Sequence, residues 1–172
     1  MKKSILLVSG LIALSFLFIS KLASQKADYV PSDQIEWLSL EQAEEMIQNE
    51  AKPILIDVYT DWCKPCKMMD QMTFGDADVI KCINQNFYPV KLNAEQKEEI
   101  SFKGNAYKYV SNGKRGINTI VVAFLGNRPA YPSLVLLDQE LSNKQVLKGF
   151  KEKEDLLPIL SKYVENNLLT SK

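Results

Sequence analysis

The sequence predicts an α/β domain in which a central mixed β-sheet is covered by helices on both faces. Apolar runs typical of buried strands alternate with segments that have helical periodicity. The chain then closes with two strands, a tight turn between them and a final helix. Two cysteines, Cys63 and Cys66, stand where the first strand passes into a helix. These three observations favour a sheet with both parallel and antiparallel neighbours, flanked by helices.

The first half of the predicted domain alternates regularly between helix and strand. Ser39 is a good N-cap, and Gln42 completes a capping box at the start of a helix. The apolar run 53–59 predicts a buried strand that leads directly to the two cysteines. A helix with one apolar face follows them until Gly75, and Asp76 caps a second short helix.

The second half is predicted to contain shorter elements. They are a strand over 87–93, a β-hairpin over 100–109 around a Gly-Asn turn, a loop over 112–116, a helix over 117–125, strands over 131–138 and 145–150, and a helix over 155–168. Pro158 is expected in the first turn of that last helix, where its missing N–H costs little.

The composition excludes several kinds of function. The chain has 172 residues with 21 basic and 21 acidic side chains, so its net charge gives no argument for nucleic acid or acidic substrates. It contains no histidine, which removes imidazole-based acid–base chemistry. Three cysteines alone cannot build a four-ligand zinc site. We therefore expect no metal, and no cofactor other than a redox-active disulfide.

The N-terminus is predicted to direct export. Lys2 and Lys3 precede an apolar run over 5–19, as in a secretory signal. Two alternatives stay open, namely a signal cleaved near Ser24 or an uncleaved anchor in the inner membrane through residues 5–19. We expect a periplasmic or otherwise exported protein in either case. The predicted organisation is a signal or anchor over 1–24, a polar tether over 25–34 and one domain over 35–170.

Cys63 and Cys66 form a dithiol that can close reversibly into a disulfide. A helix start presents free backbone N–H groups and the positive end of the helix dipole, which favour a thiolate over a thiol. Because the thiolate is the form that attacks disulfides, this position predicts a reactive pair. A structural disulfide, or half of a metal site, is the alternative.

Four features carry a resemblance to the thioredoxin superfamily. They are Trp62-Cys63-x-Pro65-Cys66-Lys67, the acid Asp57 six residues before the first cysteine, the Tyr131-Pro132-Ser133 step, and Gly149-Phe150. The resemblance covers residues 35–168 and implies a thioredoxin-like fold. The stretches from Asp57 to Cys63 and Met72-Thr73-Phe74 resemble the C-terminal domain of membrane thiol:disulfide interchange proteins. The segment 94–130 is similar to exported thioredoxin-like proteins of Bacteroidetes type, in which a hairpin and an extra helix fill this position.

The resemblance assigns roles to the dithiol and to the acid. Cys63, at an exposed helix start, is expected to attack a substrate disulfide, and the more buried Cys66 to resolve the mixed disulfide. Asp57 is expected to lie beneath Cys66 and to accept its proton, directly or through water. Burial would raise the pKa of the Asp57 carboxyl group toward neutrality, which suits a general base. An Asp57 that points outward into solvent is the alternative.

Five further residues are expected to border the substrate. Pro132 is expected to be cis, since cis bonds cost little only before proline. The resemblance implies that it faces the dithiol and that the backbone of Tyr131 pairs with the substrate. Lys64 and Pro65 are expected to tune the dithiol, and Trp62 to lie at the contact surface. The alternatives are a trans proline, a solvated lysine and aromatic rings that only pack.

The sequence therefore predicts an exported thiol:disulfide oxidoreductase that reduces protein disulfides through Cys63 and Cys66. Its expected partners are protein thiols and disulfides, with a membrane protein as the candidate electron donor and no nucleic acid. Pro65 resembles thioredoxin and favours a reductase, although Lys64 replaces the usual glycine. The alternatives are an oxidase or isomerase with the same cysteines, or a redox-inert binding module. Cys82 is expected to be a buried, inert thiol.

Overall fold

A computed structural model describes residues 32–113 and 115–170 of the chain. The described residues belong to one compact unit of the chain. The predicted signal or anchor over 1–24 and most of the tether over 25–34 lie outside the described residues. That division of the chain stays a prediction. Among the described residues, no helix combines the length and the apolar character that a membrane crossing requires.

The described residues form five helices and eight strands, in an order close to the predicted one. The elements are α1 Leu40–Asn49, β1 Ile54–Tyr59, α2 Lys64–Met72, α3 Ala77–Asn86, β2 Tyr88–Asn93, β3 Ile100–Phe102, β4 Asn105–Tyr107, β5 Tyr109–Asn112, β6 Arg115–Asn118, α4 Thr119–Leu125, β7 Ser133–Leu137, β8 Lys144–Lys148 and α5 Lys153–Thr170.

The central sheet is mixed, as the sequence predicts. Its strand order is β2-β1-β7-β8, in which β1 pairs parallel with β2 and antiparallel with β7, and β8 runs antiparallel to β7. Two small hairpins, β3–β4 and β5–β6, stand apart from this sheet. They occupy most of the stretch between β2 and α4, so the predicted insertion contains two hairpins followed by a helix.

Both faces of β1 are buried, which explains why its sequence is apolar except for Asp57. Ile56 and Val58 belong to a core cluster that includes residues of α1 and α4. Leu55 belongs to a second cluster with residues of α2, α3 and α5. Since successive side chains of a strand point to opposite faces, the two clusters place helices on both sides of the sheet. The predicted fold class is confirmed.

The prediction of a loop over 112–116 and a helix over 117–125 is wrong at its boundary. Residues 109–118 form the hairpin β5–β6, and α4 begins only at Thr119. Asn118 ends the hairpin and caps the helix, because its side-chain oxygen accepts a hydrogen bond from the Ile120 N–H at 3.1 Å. The β-branched residues around position 118 suit a strand as well as a helix, so sequence periodicity does not locate this boundary.

Two smaller corrections concern turns. The predicted hairpin is present but ends at Tyr107, because Tyr109 already belongs to β5. Its turn residues are Lys103 and Gly104, which both have positive φ, at 50° and 69°. Helix α5 begins at Lys153, so Pro158 lies in its second turn and the expectation of a first-turn proline is wrong. The missing N–H leaves the Glu154 carbonyl without a helical donor near the exposed start of the helix, where water can replace it.

Candidate active site

Cys63 and Cys66 are joined by a disulfide at the first turn of α2. Cys63 is the N-cap residue, and its Sγ accepts a hydrogen bond from the Cys66 N–H at 3.2 Å. The backbone N–H of Cys63 donates to the Thr60 carbonyl at 3.1 Å, which connects the helix start to the end of β1. The position predicted for the pair is confirmed. After reduction, the Cys63 sulfur would lie at the positive end of the helix, with one backbone donor already directed at it.

Lys64 and Pro65 occupy the first two positions of α2, and both are exposed. Proline is compatible with this place because the first N–H groups of a helix have no intrahelical acceptor. Because Lys64 is exposed, the structure also fits the alternative of a lysine that is merely solvated. Its role in tuning the dithiol therefore stays a prediction.

The two cysteines do not differ in exposure when they are bonded. Cys63 is 3% exposed and Cys66 is 2% exposed. The expected contrast between an exposed and a buried cysteine is therefore absent from this disulfide form. Their order of attack stays a prediction, supported by the N-cap position of Cys63.

Asp57 lies in the middle of β1 and is 2% exposed, so the alternative of an outward-facing, solvated Asp57 is wrong. Its Oδ2 accepts a hydrogen bond from the Lys91 ammonium at 2.6 Å, and its buried Oδ1 has no partner among the described residues. Burial raises the pKa of the Asp57 carboxyl group, and the positive charge of Lys91 opposes part of that rise. The direction agrees with a general base, and transfer of a proton from Cys66 stays a prediction.

Lys91 is a residue that the sequence analysis missed. It is the register partner of Asp57 across the parallel pair β1–β2, and its ammonium also contacts the Asp70 carboxylate. Burial lowers the pKa of Lys91, but the two carboxylates outweigh burial, and the net shift is upward. The ammonium also lies 4.8 to 5.4 Å from the centres of three aromatic rings, those of Trp37, Tyr59 and Phe74. The sequence did contain one signal that could have pointed to Lys91, because a lysine is unusual within the apolar strand segment 88–92.

The Tyr131–Pro132 peptide bond is cis, as predicted. Pro132 is buried at the start of β7, and its carbonyl accepts a hydrogen bond from the Gly149 N–H at 2.9 Å. This bond connects the two sequence features Tyr131-Pro132-Ser133 and Gly149-Phe150. Pairing of the Tyr131 backbone with a substrate stays a prediction.

Trp62, which directly precedes Cys63, contacts Tyr131, which directly precedes the cis proline. Their rings are in an edge-to-face arrangement with centroids 6.1 Å apart, and Trp62 is 48% exposed. The Trp62 Nε1–H donates to the Glu95 carboxylate at 3.1 Å, and the Arg115 guanidinium lies 4.3 Å from the Trp62 ring centre. The sequence analysis missed Glu95 and Arg115, because both come from the insertion and no local motif links them to the dithiol.

The remaining candidates have no assigned part in the site. Cys82 is half-buried on α3 rather than buried, and burial raises the pKa of its thiol, which favours the unreactive protonated form. Within residues 32–113 and 115–170, no group of three or more Cys, Asp or Glu side chains is arranged to hold a metal ion.

This fold, with a cysteine pair at a helix start and a cis proline, defines a thioredoxin-like protein and supports the thiol:disulfide oxidoreductase class in general. Residues 19–140 match the family Thioredox_DsbH, described as "Protein of unknown function, DUF255". Because this match covers more than half of the chain, the chain belongs to that family.

Curated relatives confirm the resemblance to thiol:disulfide interchange proteins. The protein DsbD of Campylobacter jejuni (strain RM1221) is 32% identical over 65 residues, which are 38% of this chain and 11% of DsbD. DsbD of Photorhabdus laumondii is 44% identical over 43 residues, which are 25% of this chain and 7% of that protein. The match thus spans about a tenth of the length of these relatives or less.

Solved structures confirm the thioredoxin-like fold. A thioredoxin from Thermus thermophilus superposes with a TM-score of 0.58 at 13% identity, covering 81% of this chain and 94% of the thioredoxin. A structure titled "DsbH Oxidoreductase" superposes with a TM-score of 0.53 at 17% identity, covering 87% of this chain and 98% of that one. At these identities the likeness concerns the fold alone.

Proposed function

We propose that the protein is an exported thiol:disulfide oxidoreductase that reduces protein disulfides through Cys63 and Cys66. The observation that carries the proposal is the position of this pair, with Cys63 as the N-cap of α2 and accepting a hydrogen bond from the Cys66 N–H. A buried structural disulfide would not need a helix terminus. At this position, the helix favours the thiolate that disulfide exchange requires.

The reaction proceeds in two exchanges. The Cys63 thiolate attacks one sulfur of the substrate disulfide, which forms a mixed disulfide and releases the other substrate sulfur as a thiolate. Cys66 then loses its proton and attacks the Cys63 sulfur, so that the second substrate thiol leaves and the Cys63–Cys66 disulfide forms. Two electrons pass from the enzyme to the substrate, and the substrate thiolates take up protons from solvent.

Asp57 accepts the Cys66 proton in the second exchange. Two observations support this role. Burial raises the pKa of the Asp57 carboxyl group, and its Oδ1 atom has no hydrogen-bond partner among the described residues. Lys91 holds the other oxygen, Oδ2, so the carboxylate keeps one orientation. A carboxyl group with a pKa closer to neutrality is matched to proton transfer at physiological pH.

A second dithiol must regenerate the reduced enzyme. We propose a membrane protein as the electron donor, because the curated relatives are named thiol:disulfide interchange proteins and the sequence predicts export through residues 1–24. Anchoring through residues 5–19 would keep the domain close to such a donor.

Replacement of Cys66 by serine tests the proposal. Cys66→Ser keeps the attacking sulfur but removes the resolving one, so we expect substrate proteins to remain bonded to Cys63. The measurement is recovery of reducing-agent-sensitive adducts from an extract of the exported fraction after rapid acid quenching of thiols. Cys63→Ser is the matched control and should give no such adducts. If the folded Cys66→Ser variant captures no substrate protein, the proposed activity is contradicted.

A further inference from the structure

The hairpin β5–β6 brings a positive charge to Trp62, the residue that precedes the dithiol. Arg115, the first residue of β6, is exposed and its guanidinium lies 4.3 Å from the ring centre of Trp62, which directly precedes Cys63. Arginine over an indole face is a favourable cation–π arrangement that fixes the position of the guanidinium. The charge therefore lies over the side chain of Trp62, the residue that precedes Cys63 in the chain.

The base of this hairpin is connected to the dithiol loop through backbone hydrogen bonds. The Asn118 N–H donates to the Ala94 carbonyl at 2.9 Å, and the Ala94 N–H donates to the Tyr59 carbonyl at 2.8 Å. The buried Asn118 amide also donates to the Gln96 and Glu98 carbonyls at 3.4 and 3.2 Å. Tyr59 is the last residue of β1, so these bonds fix the insertion to the strand that leads to Cys63.

The position of Arg115 changes what an incoming substrate would meet. An indole face beside a dithiol could pack on an apolar side chain, but here the guanidinium covers one face of Trp62. The Trp62 N–H is already bonded to Glu95, and Tyr131 contacts the ring edge to face. A polypeptide that approaches Trp62 therefore meets the Arg115 cation over the ring and the Glu95 carboxylate at the ring nitrogen.

The donors of Arg115 are available to a substrate. Among the described residues, Arg115 has no ion pair with any carboxylate. Arg115 is exposed, and a guanidinium group can bind a carboxylate in bidentate geometry. Lys64 and Lys67, both exposed in the first turn of α2, add positive charge near the pair.

We propose that Arg115 is a specificity-determining residue that favours protein disulfides with an aspartate or glutamate beside the reacting cysteine. This inference rests on the proposed reductase function and names its substrate class. The guanidinium binds the substrate carboxylate while Cys63 attacks the neighbouring sulfur, and the exchange itself is unchanged.

Disulfide peptides that differ only beside one cysteine test this inference. Three peptides carry glutamate, glutamine or lysine there, and the full-length reduced protein is assayed for its second-order rate constant with each. We expect the glutamate peptide to react about fivefold faster than the glutamine peptide at low salt, as for an exposed ion pair, and the lysine peptide to be slowest. The ratio should shrink as ionic strength rises.

Substitutions at Arg115 separate specificity from structure. Arg115→Gln should bring the glutamate-to-glutamine ratio close to one, Arg115→Lys should keep part of it, and Arg115→Glu should favour the lysine peptide. Lys81→Gln, which removes an exposed charge on α3, should leave the ratio unchanged.

Several outcomes would overturn the inference. Equal rates for all peptides with the unmodified chain contradict it, and so does an unchanged ratio in Arg115→Gln. A uniform loss of rate in Arg115→Gln would assign Arg115 a structural role only, and the proposed function would stand. Failure to reduce any of the peptides would contradict the proposed function as well.

Discussion

The Asp57–Lys91 pair places two opposite charges inside the sheet, beside the strand that leads to the dithiol. Asp57 is 2% exposed and the Lys91 side chain 19% exposed, and their atoms approach to 2.6 Å. A buried pair of this kind adds little net stability, but removal of one partner leaves the other charge without compensation. The pair therefore ties the stability of the fold to the residue proposed as the general base.

Lys91→Met should destabilise the protein strongly. The substitution keeps most of the side-chain volume but leaves the Asp57 carboxylate buried without its partner, and we expect a loss of about 3 kcal/mol in the free energy of unfolding. Urea denaturation of the disulfide form at neutral pH measures it. Lys81→Met, at an exposed site on α3, should change the value by less than about 0.5 kcal/mol. A change in Lys91→Met as small as in this control would contradict the buried-pair account.

Asp57→Asn should become more stable relative to the unmodified chain as pH rises, and it should have lower activity. It differs from Lys91→Met because Lys91 keeps its ion pair with Asp70, so no buried charge is left without a partner. The folded protein holds the pKa of Asp57 above the unfolded value of about 3.9, so between these two pKa values the native state keeps a proton that the unfolded state releases. The stability that this group contributes is complete below that unfolded value and is lost as pH rises through the raised folded pKa.

The measurement is the free energy of unfolding against pH, from 4 upward, for both proteins in the disulfide form. The unmodified chain should lose stability relative to Asp57→Asn as pH rises. The same variant should resolve mixed disulfides more slowly, because Cys66 has lost its proton acceptor. Parallel pH curves for the two proteins would contradict the raised pKa.

At the scale of single residues, the sequence was informative where a residue type has a special property. Cysteine spacing located the dithiol, and an acid in an apolar run located Asp57. The cis bond at Pro132 was expected from the resemblance to the thioredoxin superfamily. Lys91 and Arg115 were missed, because their significance depends on which residue lies opposite in the fold. Sequence spacing alone does not supply that information.

At the scale of elements, the hairpin β5–β6 is where the sequence prediction failed and where the site gains Arg115. Gly116 permits this hairpin to close. A Cβ added there would lie 2.3 Å from Tyr109 Cζ and 2.6 Å from the Val110 carbonyl oxygen. Since one of these atoms is backbone, the hairpin itself would have to shift.

Gly116→Ala should therefore loosen the hairpin while the sheet stays intact. We expect a loss of about 1–3 kcal/mol, typical of overpacking, together with faster amide hydrogen exchange in residues 109–118 than in β1 or β7. Ser111→Ala, at the register partner of Gly116, is the control and should leave that exchange unchanged. Unchanged exchange in Gly116→Ala would mean that the hairpin accommodates the added methyl group.

The helix starts show which element boundaries a sequence reveals. The capping box at Ser39 and the caps at Asp76 and Asn118 are all present, because a side-chain oxygen near a free N–H is a local feature. The first two were predicted. The cap at Asn118 was missed, because Asn118 lies inside an apolar, β-branched run whose sequence pattern shows no boundary between strand and helix.

At the scale of the whole molecule, helices on both faces of a four-stranded sheet position the dithiol, and the insertion modifies its surroundings. The mixed sheet and the order of its main elements were predictable from alternating periodicities. The position of the insertion next to Trp62 could not be predicted in this way, because it depends on hydrogen bonds between segments distant in sequence, such as the one from Asn118 to Ala94. We therefore expect the reaction to be shared with thioredoxin-like proteins and the choice of substrate to be specific to this chain.

The reduction potential of the Cys63–Cys66 disulfide tests the central claim, that the protein is a reductase, most directly. It is measured by equilibration of the full-length protein with a thiol–disulfide buffer of known potential. We predict a value near that of thioredoxin, about −270 mV. A value near that of the strong oxidants, about −120 mV, would contradict a reductase and indicate a protein that donates disulfides.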